Sequence, residues 1–153
     1  MPAATLDAFL NSYLGGPLDE RRSAVVATVR QLTQAATKVR NAINQGVLGT
    51  AFGGTRGINA DGDVQKDLDI FADEIFLDAM RHAPVALYAS EELEQPVLLD
   101  RKAPLAVAID PLDGSSNIDT NVSIGTIFSL LPATGAPDAN PAASFLQAGV
   151  RML

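Results

Sequence analysis

The chain has no cysteine, which excludes disulfides, thiolate nucleophiles and Cys-ligated zinc or iron–sulfur centres. It has one histidine, His82, and a single imidazole cannot build a multi-histidine metal site within one chain. Any bound metal must therefore be held by oxygen. Basic charge is scarce: 11 Lys and Arg stand against 18 Asp and Glu, a formal net charge of −7. Nucleic-acid binders carry a basic footprint, so no nucleic-acid partner is expected. No stretch approaches the ~18 apolar residues that span a bilayer. Residues 1–13 lack the basic flank and continuous apolar run of a secretory signal. The expectation is a cytoplasmic chain with no membrane partner, free of internal repeats and low-complexity tracts.

What is present suffices for one α/β domain. The 153 residues are 47% apolar and 19% charged, enough to bury a core. Over residues 19–45, Val25, Val29, Leu32, Ala36, Val39 and Ile43 recur at spacings of three and four, the stripe of a helix. Asp19 suits its N-cap and Gly46 its C-terminal stop. Arg22, Arg30, Lys38 and Arg40 read as its solvated face. Residues 46–63 hold six of the twelve glycines and read as a long loop, either a functional lid or a plain connector. A second helix follows at 64–81, with Leu68, Phe71, Ile75 and Ala79 on one face. Its acids, Asp67, Asp69, Asp73, Glu74 and Asp78, read as a wet surface. Asp63, just before it, suits a cap, and His82 and Arg81 suit the C-terminal end of the helix.

From Pro84 the pattern changes to short apolar runs: strands are expected at 84–90, 105–109 and 122–131. Runs apolar at nearly every position predict strands buried on both faces beneath helices. The first ends in Glu91-Glu92 and the second in Asp110-Pro111, with Asp113 close behind. If these strands are neighbours, Glu91, Glu92, Asp110 and Asp113 come together, and their mutual repulsion demands a cation. Arg101 is the one arginine near in sequence, and Mg²⁺ or Mn²⁺ is the better match to hard oxygen ligands. Gly114, Ser115, Ser116 and Asn117 then offer a tight turn with donors, the makings of an anion nest. Metal beside a phosphate nest is the equipment of metal-assisted phosphoester hydrolysis.

These residues resemble class I fructose-1,6-bisphosphatase. The likeness lies in Ser90-Glu91-Glu92, then Asp110-Pro111-Leu112-Asp113-Gly114-Ser115-Ser116-Asn117-Ile118-Asp119, then Val122 to Phe128. Gly62-Asp63, Gln65-Lys66 and Leu68-Asp69 extend it, so it covers roughly residues 20–153. The wider magnesium-dependent, lithium-sensitive superfamily shares the Glu-Glu and Asp-Pro-x-Asp-Gly parts. Its inositol monophosphatase-like members usually carry Thr at the position of Ser115.

The resemblance implies a layered α/β sandwich, here its amino-terminal portion: two helices followed by sheet strands. It implies Mg²⁺ on Glu91, Asp110, Asp113 and the carbonyl of Leu112. Glu92 and Asp63 are implied to activate the attacking water, and Asp113, Gly114, Ser115 and Ser116 to hold the substrate's 1-phosphate. The loop 46–62 matches the family's mobile catalytic loop. A sugar bisphosphate substrate and a homotetramer are also implied, in gluconeogenesis or the Calvin cycle.

Two departures shape the expectation. Family members are about twice as long, so residues 1–153 are expected to be the amino-terminal part, with the carboxy-terminal half absent. That half supplies a further metal-binding glutamate and most contacts to the sugar and its 6-phosphate; without it the sheet keeps an unpaired edge. AMP-regulated members carry a Thr-Gly-Glu-Leu-Thr type turn at the first helix, and residues 15–23 here read GGPLDERRS. AMP inhibition is not expected. The competing readings are a sedoheptulose-bisphosphatase, an inositol-type or nucleotide phosphatase, and a catalytically inactive assembly module.

Overall fold

The periodic stripe at 19–45 does fold as one long helix. The computed structural model describes residues 5–15, 19–44, 61–115, 123–134, 137–147 and 149, and within 61–65 the backbone only. Its elements are α1 (Leu6–Tyr13), α2 (Glu20–Asn44), α3 (Asp61–Arg81), β1 (Val85–Ser90), β2 (Val97–Leu98), β3 (Leu105–Asp113), β4 (Gly125–Pro132) and a short 3-10 turn, Pro141–Ser144. The Asp19 carboxylate accepts the Arg21 N–H at 2.9 Å, capping α2 as expected. Gly46 and most of the glycine-rich loop 46–62 lie outside the described residues. Gly62 instead falls within α3, which starts three residues earlier than its apolar periodicity indicates.

Helix α1 is an element the sequence reading did not provide. Thr5 caps it by accepting the Ala8 N–H at 3.2 Å. Only Leu10 is buried, so little apolar area holds the helix. The arginines of α2 make up part of the difference and are not purely solvated. Arg30 donates to Asn11 at 3.0 Å and lies 3.4 Å from Asp7, and Arg22 stacks over the Tyr13 ring.

The sheet order is β2-β1-β3-β4, with β1 parallel to β3 and the other pairs antiparallel. One face packs on α2 and α3 through Leu32, Ala35, Val39, Leu68, Ala72, Phe76 and Met80. The other is covered partly by Ala103, Ala133 and Phe145 around Ala86, Leu87, Ala106 and Leu131. Thus β1 and β3 are buried on both faces, but the described helices cover only one of them.

Two strand expectations are corrected. Strand β3 does not stop at Ile109: it continues to Asp113, because β4 pairs Asp110 with Ile127 and Asp113 with Gly125 across a register shift. A bulge tolerates the missing N–H of Pro111. Strand β4 begins at Gly125, not Val122, which lies outside the described residues. Nor is it buried on both faces, since Ile127 is 59% and Phe128 40% exposed on what is an edge strand. Among the described residues, no helix is long and apolar enough to cross a membrane.

Thr28 offers a stability test. It is fully buried in α2, and its hydroxyl has no hydrogen-bond partner among the described residues. Valine has nearly the same shape and removes that desolvated oxygen, so Thr28→Val should stabilise the chain by about 1 kcal/mol. Urea unfolding checks it, and a lower midpoint would contradict it.

Candidate active site

Parallel pairing of β1 with β3 aligns Ser90 with Ile109, so both strands end at the same rim of the sheet. The ladder runs one residue further: Glu91 N–H donates to the Ile109 carbonyl at 3.1 Å. That bond puts Glu91 beside Asp110, and their carboxyl groups hydrogen-bond each other. The expected convergence of acids from two neighbouring strands is therefore present in this pair.

The turn after β1 sets Glu92. Its N–H donates to Ser90 Oγ at 3.2 Å, and Leu93 N–H closes the turn on the Ser90 carbonyl. On β3, Asp110 Oδ1 accepts the Leu112 N–H at 3.1 Å, fixing the carboxylate by its own downstream backbone. The Pro111 carbonyl accepts from Thr126 Oγ1 at 3.0 Å, which ties the bulge to β4. Gly114 then takes φ +80°, a left-handed value that glycine adopts without a Cβ penalty, and the chain leaves the sheet there. Ser115 donates to Asp69 Oδ2 at 3.3 Å, joining this turn to α3.

The electrostatics follow from crowding. Glu91 is held above its ordinary range first by the hydrogen bond shared with Asp110 and then by the Asp110 charge, with Asp113 and Asp69 adding to it. Glu92 is raised by partial burial, then by Asp69, Glu91, Asp73 and Asp110. Asp69 is raised by burial, against the lowering effect of the Ser115 hydroxyl. Arg101 does not relieve this charge: it pairs with Asp138 at 3.4 Å.

Among the described residues, no three of these carboxylates converge closely enough to enclose an ion as they stand. The donor set nonetheless fits a hard divalent cation: it is all oxygen, and the neighbouring carboxylates add to the raised proton affinity of Glu91 and Glu92, a repulsion that a cation would reverse. Asp113 lies at the exposed end of β3, near enough for its charge to act on Glu91, and Leu112 lies between it and Asp110. Ser116 lies outside the described residues. Asp63 falls in the first turn of α3, not before it, and its side chain is outside the described set.

Two acids assigned to a wet helix face prove otherwise. Asp69 is half-buried against Ser115 and belongs to the acidic cluster. Asp73, one turn on, is only 5% exposed and accepts a 2.7 Å hydrogen bond from the Tyr88 hydroxyl. Their spacing of four, flanking the stripe of Leu68, Ala72 and Phe76, was the available signal. A tyrosine inside an apolar strand was another, since a buried hydroxyl requires a partner. His82, by contrast, sits at the end of α3 with Nδ1 2.9 Å from the Asp78 carbonyl, as its sequence position indicated.

Helices packed on a mixed sheet, with acids and a glycine turn at adjoining strand ends, make an α/β domain. The chain belongs to the fructose-1,6-bisphosphatase family: the model for "Fructose-1-6-bisphosphatase, N-terminal domain" matches residues 18–153. Among curated relatives it is 60% identical to the class 1 fructose-1,6-bisphosphatase of Rhizobium meliloti (strain 1021) and 59% identical to that of Sinorhizobium medicae. Each alignment covers all of this chain and 44% of the relative. Among solved structures, the holo form of Leishmania major fructose-1,6-bisphosphatase matches with TM-score 0.73 and 26% identity, covering 97% of this chain and 46% of that one. The apo form, at 23% identity and TM-score 0.69, supports the fold alone.

Proposed function

We propose that this chain is the metal- and phosphate-binding part of an enzyme that hydrolyses the 1-phosphate of fructose 1,6-bisphosphate to fructose 6-phosphate and phosphate. The observation that carries the reading is the contact between Glu91 and Asp110 at the ends of neighbouring parallel strands, in a chain of this family. An acidic rim of this kind repels a bisphosphate unless a cation lies between them.

Glu91, Asp110, Asp113 and the Leu112 carbonyl are the residues to hold Mg²⁺, or Mn²⁺. Such an ion supplies polarisation of the phosphoryl oxygens, a more acidic bound water and charge for the leaving oxygen. Asp113, Gly114, Ser115 and Ser116 bind the 1-phosphate: a chain leaving β3 through a left-handed residue can aim successive N–H groups at an anion. Glu92 accepts the proton of the attacking water together with Asp63. The raised proton affinity of Glu92 suits a group that must take up a proton.

The chain spans 44% of the length of its two relatives above, and the remaining length is assigned the sugar and 6-phosphate contacts. Homotetrameric assembly, a cytoplasmic location and a place in gluconeogenesis or a carbon-fixation cycle belong to the same proposal. The test uses this chain continued with the remaining length of the Rhizobium meliloti relative. Phosphate release is measured from fructose 1,6-bisphosphate, sedoheptulose 1,7-bisphosphate and inositol 1-phosphate. Preference for fructose 1,6-bisphosphate is expected, and turnover of inositol phosphate alone would overturn the reading.

A further inference from the structure

Asp110 and Asp113 lie three residues apart on β3, and both are proposed above to hold the cation together with Glu91. In a regular strand an odd separation sends two side chains to opposite faces of the sheet. The pairing with β4 removes that conflict. Asp110 stands opposite Ile127 and Asp113 opposite Gly125, so Pro111 and Leu112 together face the single residue Thr126. Directly opposed residues share a face. Ile127 and Gly125 are two apart on β4 and lie on one face, which places Asp110 and Asp113 on one face as well. The core shows the same change of phase: Ile109 and Leu112, also three apart, are both buried in the cluster formed with α2 and α3. Glu91 joins the two aspartates, because the parallel ladder aligns Ser90 with Ile109 and continues through the Glu91 N–H.

The inserted residue is thus what gives the three acids a common side. Such an insertion interrupts the ladder, and Pro111 has no N–H with which to repair it. Two side-chain hydrogen bonds span the interruption. Leu112 N–H donates to Asp110 Oδ1 at 3.1 Å, a bond local to β3. Thr126 Oγ1 donates to the Pro111 carbonyl at 3.0 Å and crosses from β4. A branched apolar residue would suit this strand position as well as threonine does. What the hydroxyl adds is the tie to the bulge.

We infer that Thr126 is a positioning residue whose hydroxyl fixes the bulge at Pro111-Leu112 and so holds Asp113 on the face shared by Asp110 and Glu91. The inference rests on the role proposed above for these acids as ligands of the cation.

Mn²⁺ binding, read by electron paramagnetic resonance on the enzyme continued with the Rhizobium meliloti sequence, tests it. Thr126→Val keeps the branched shape and removes only the hydroxyl. It should weaken Mn²⁺ binding about 10- to 100-fold, as loss of an outer support typically does. Thr126→Ala should repeat the loss, so the outcome does not depend on the fit of valine. Thr126→Ser, which keeps the hydroxyl, should bind Mn²⁺ as the parent does. In an Asp113→Asn background, Thr126→Val should cost almost nothing further. A threonine with a merely structural role would lower the melting temperature and leave the Mn²⁺ affinity of the folded protein unchanged. That result would overturn the inference, as would equal losses in both backgrounds or a serine variant as weak as the valine one. The functional reading would survive each of these. Parental Mn²⁺ affinity in Asp113→Asn itself would instead remove the proposed role of Asp113, and the inference with it.

Discussion

Asp110→Asn should lower kcat/KM of the completed enzyme by about 10²- to 10³-fold or more while leaving the fold intact. The two effects separate because asparagine keeps the oxygen that accepts the Leu112 N–H, so the turn at the end of β3 survives. Only the charge is lost, and with it one of the groups proposed to hold the cation. Stability should move the opposite way. In the metal-free chain, Asp110 raises Glu91 above its ordinary value of 4.5, through a shared hydrogen bond and through repulsion. A carboxyl raised on folding contributes stability below its unfolded pKa and loses it as pH climbs through the folded value. At pH 7 in chelator the crowded site therefore opposes folding, and Asp110→Asn should melt no lower than its parent. Its stability should also fall less steeply above pH 4.5. Added Mg²⁺ should raise the melting temperature of the parent and not of the variant. A variant with near-parental turnover would remove Asp110 from the site.

Phe76→Ala should be the most damaging substitution in the core, costing about 3–5 kcal/mol. Phe76 is fully buried on α3 and packs in the cluster that joins both long helices to β1 and β3. It also borders a half-open pocket of about 490 Å³ whose walls include Leu32, Val39, Leu112 and Phe128. Space already lies beside the ring, so collapse of the neighbours onto the vacated volume would recover little. Since domains are stable by only about 5–15 kcal/mol, a loss of this size removes most of the margin. Guanidinium unfolding would measure it, and a loss below 1 kcal/mol would show that the helices are held elsewhere.

The parts of the fold that were legible in the sequence are those fixed locally. The stripe from Val25 to Ile43 and the Asp19 cap need no partner to be recognised. The runs before Glu91 and Asp110 are apolar because both strands are buried, and their abrupt acidic ends mark the rim where the candidate site lies. Asp110 to Asp113 as strand was not legible, because Pro111 reads as a stop and only the pairing partner in β4 supplies the bulge that admits it. Helix α1 was missed because its short apolar pattern buries only Leu10, and its attachment comes from Arg22 and Arg30 across the chain. Asp69 and Asp73 were misread for a related reason. An acid on a helix looks solvated until the tertiary fold brings Ser115 and Tyr88 against it.

The acids ending β1 and β3 are proposed to form the metal site of a phosphatase. Mn²⁺ titration followed by electron paramagnetic resonance tests this most directly, on the enzyme continued with the Rhizobium meliloti sequence and on its Glu91→Gln, Asp110→Asn double variant. The parent should bind Mn²⁺ with an affinity that the double variant loses by at least about 100-fold. Equal binding by both proteins would place the metal away from Glu91 and Asp110.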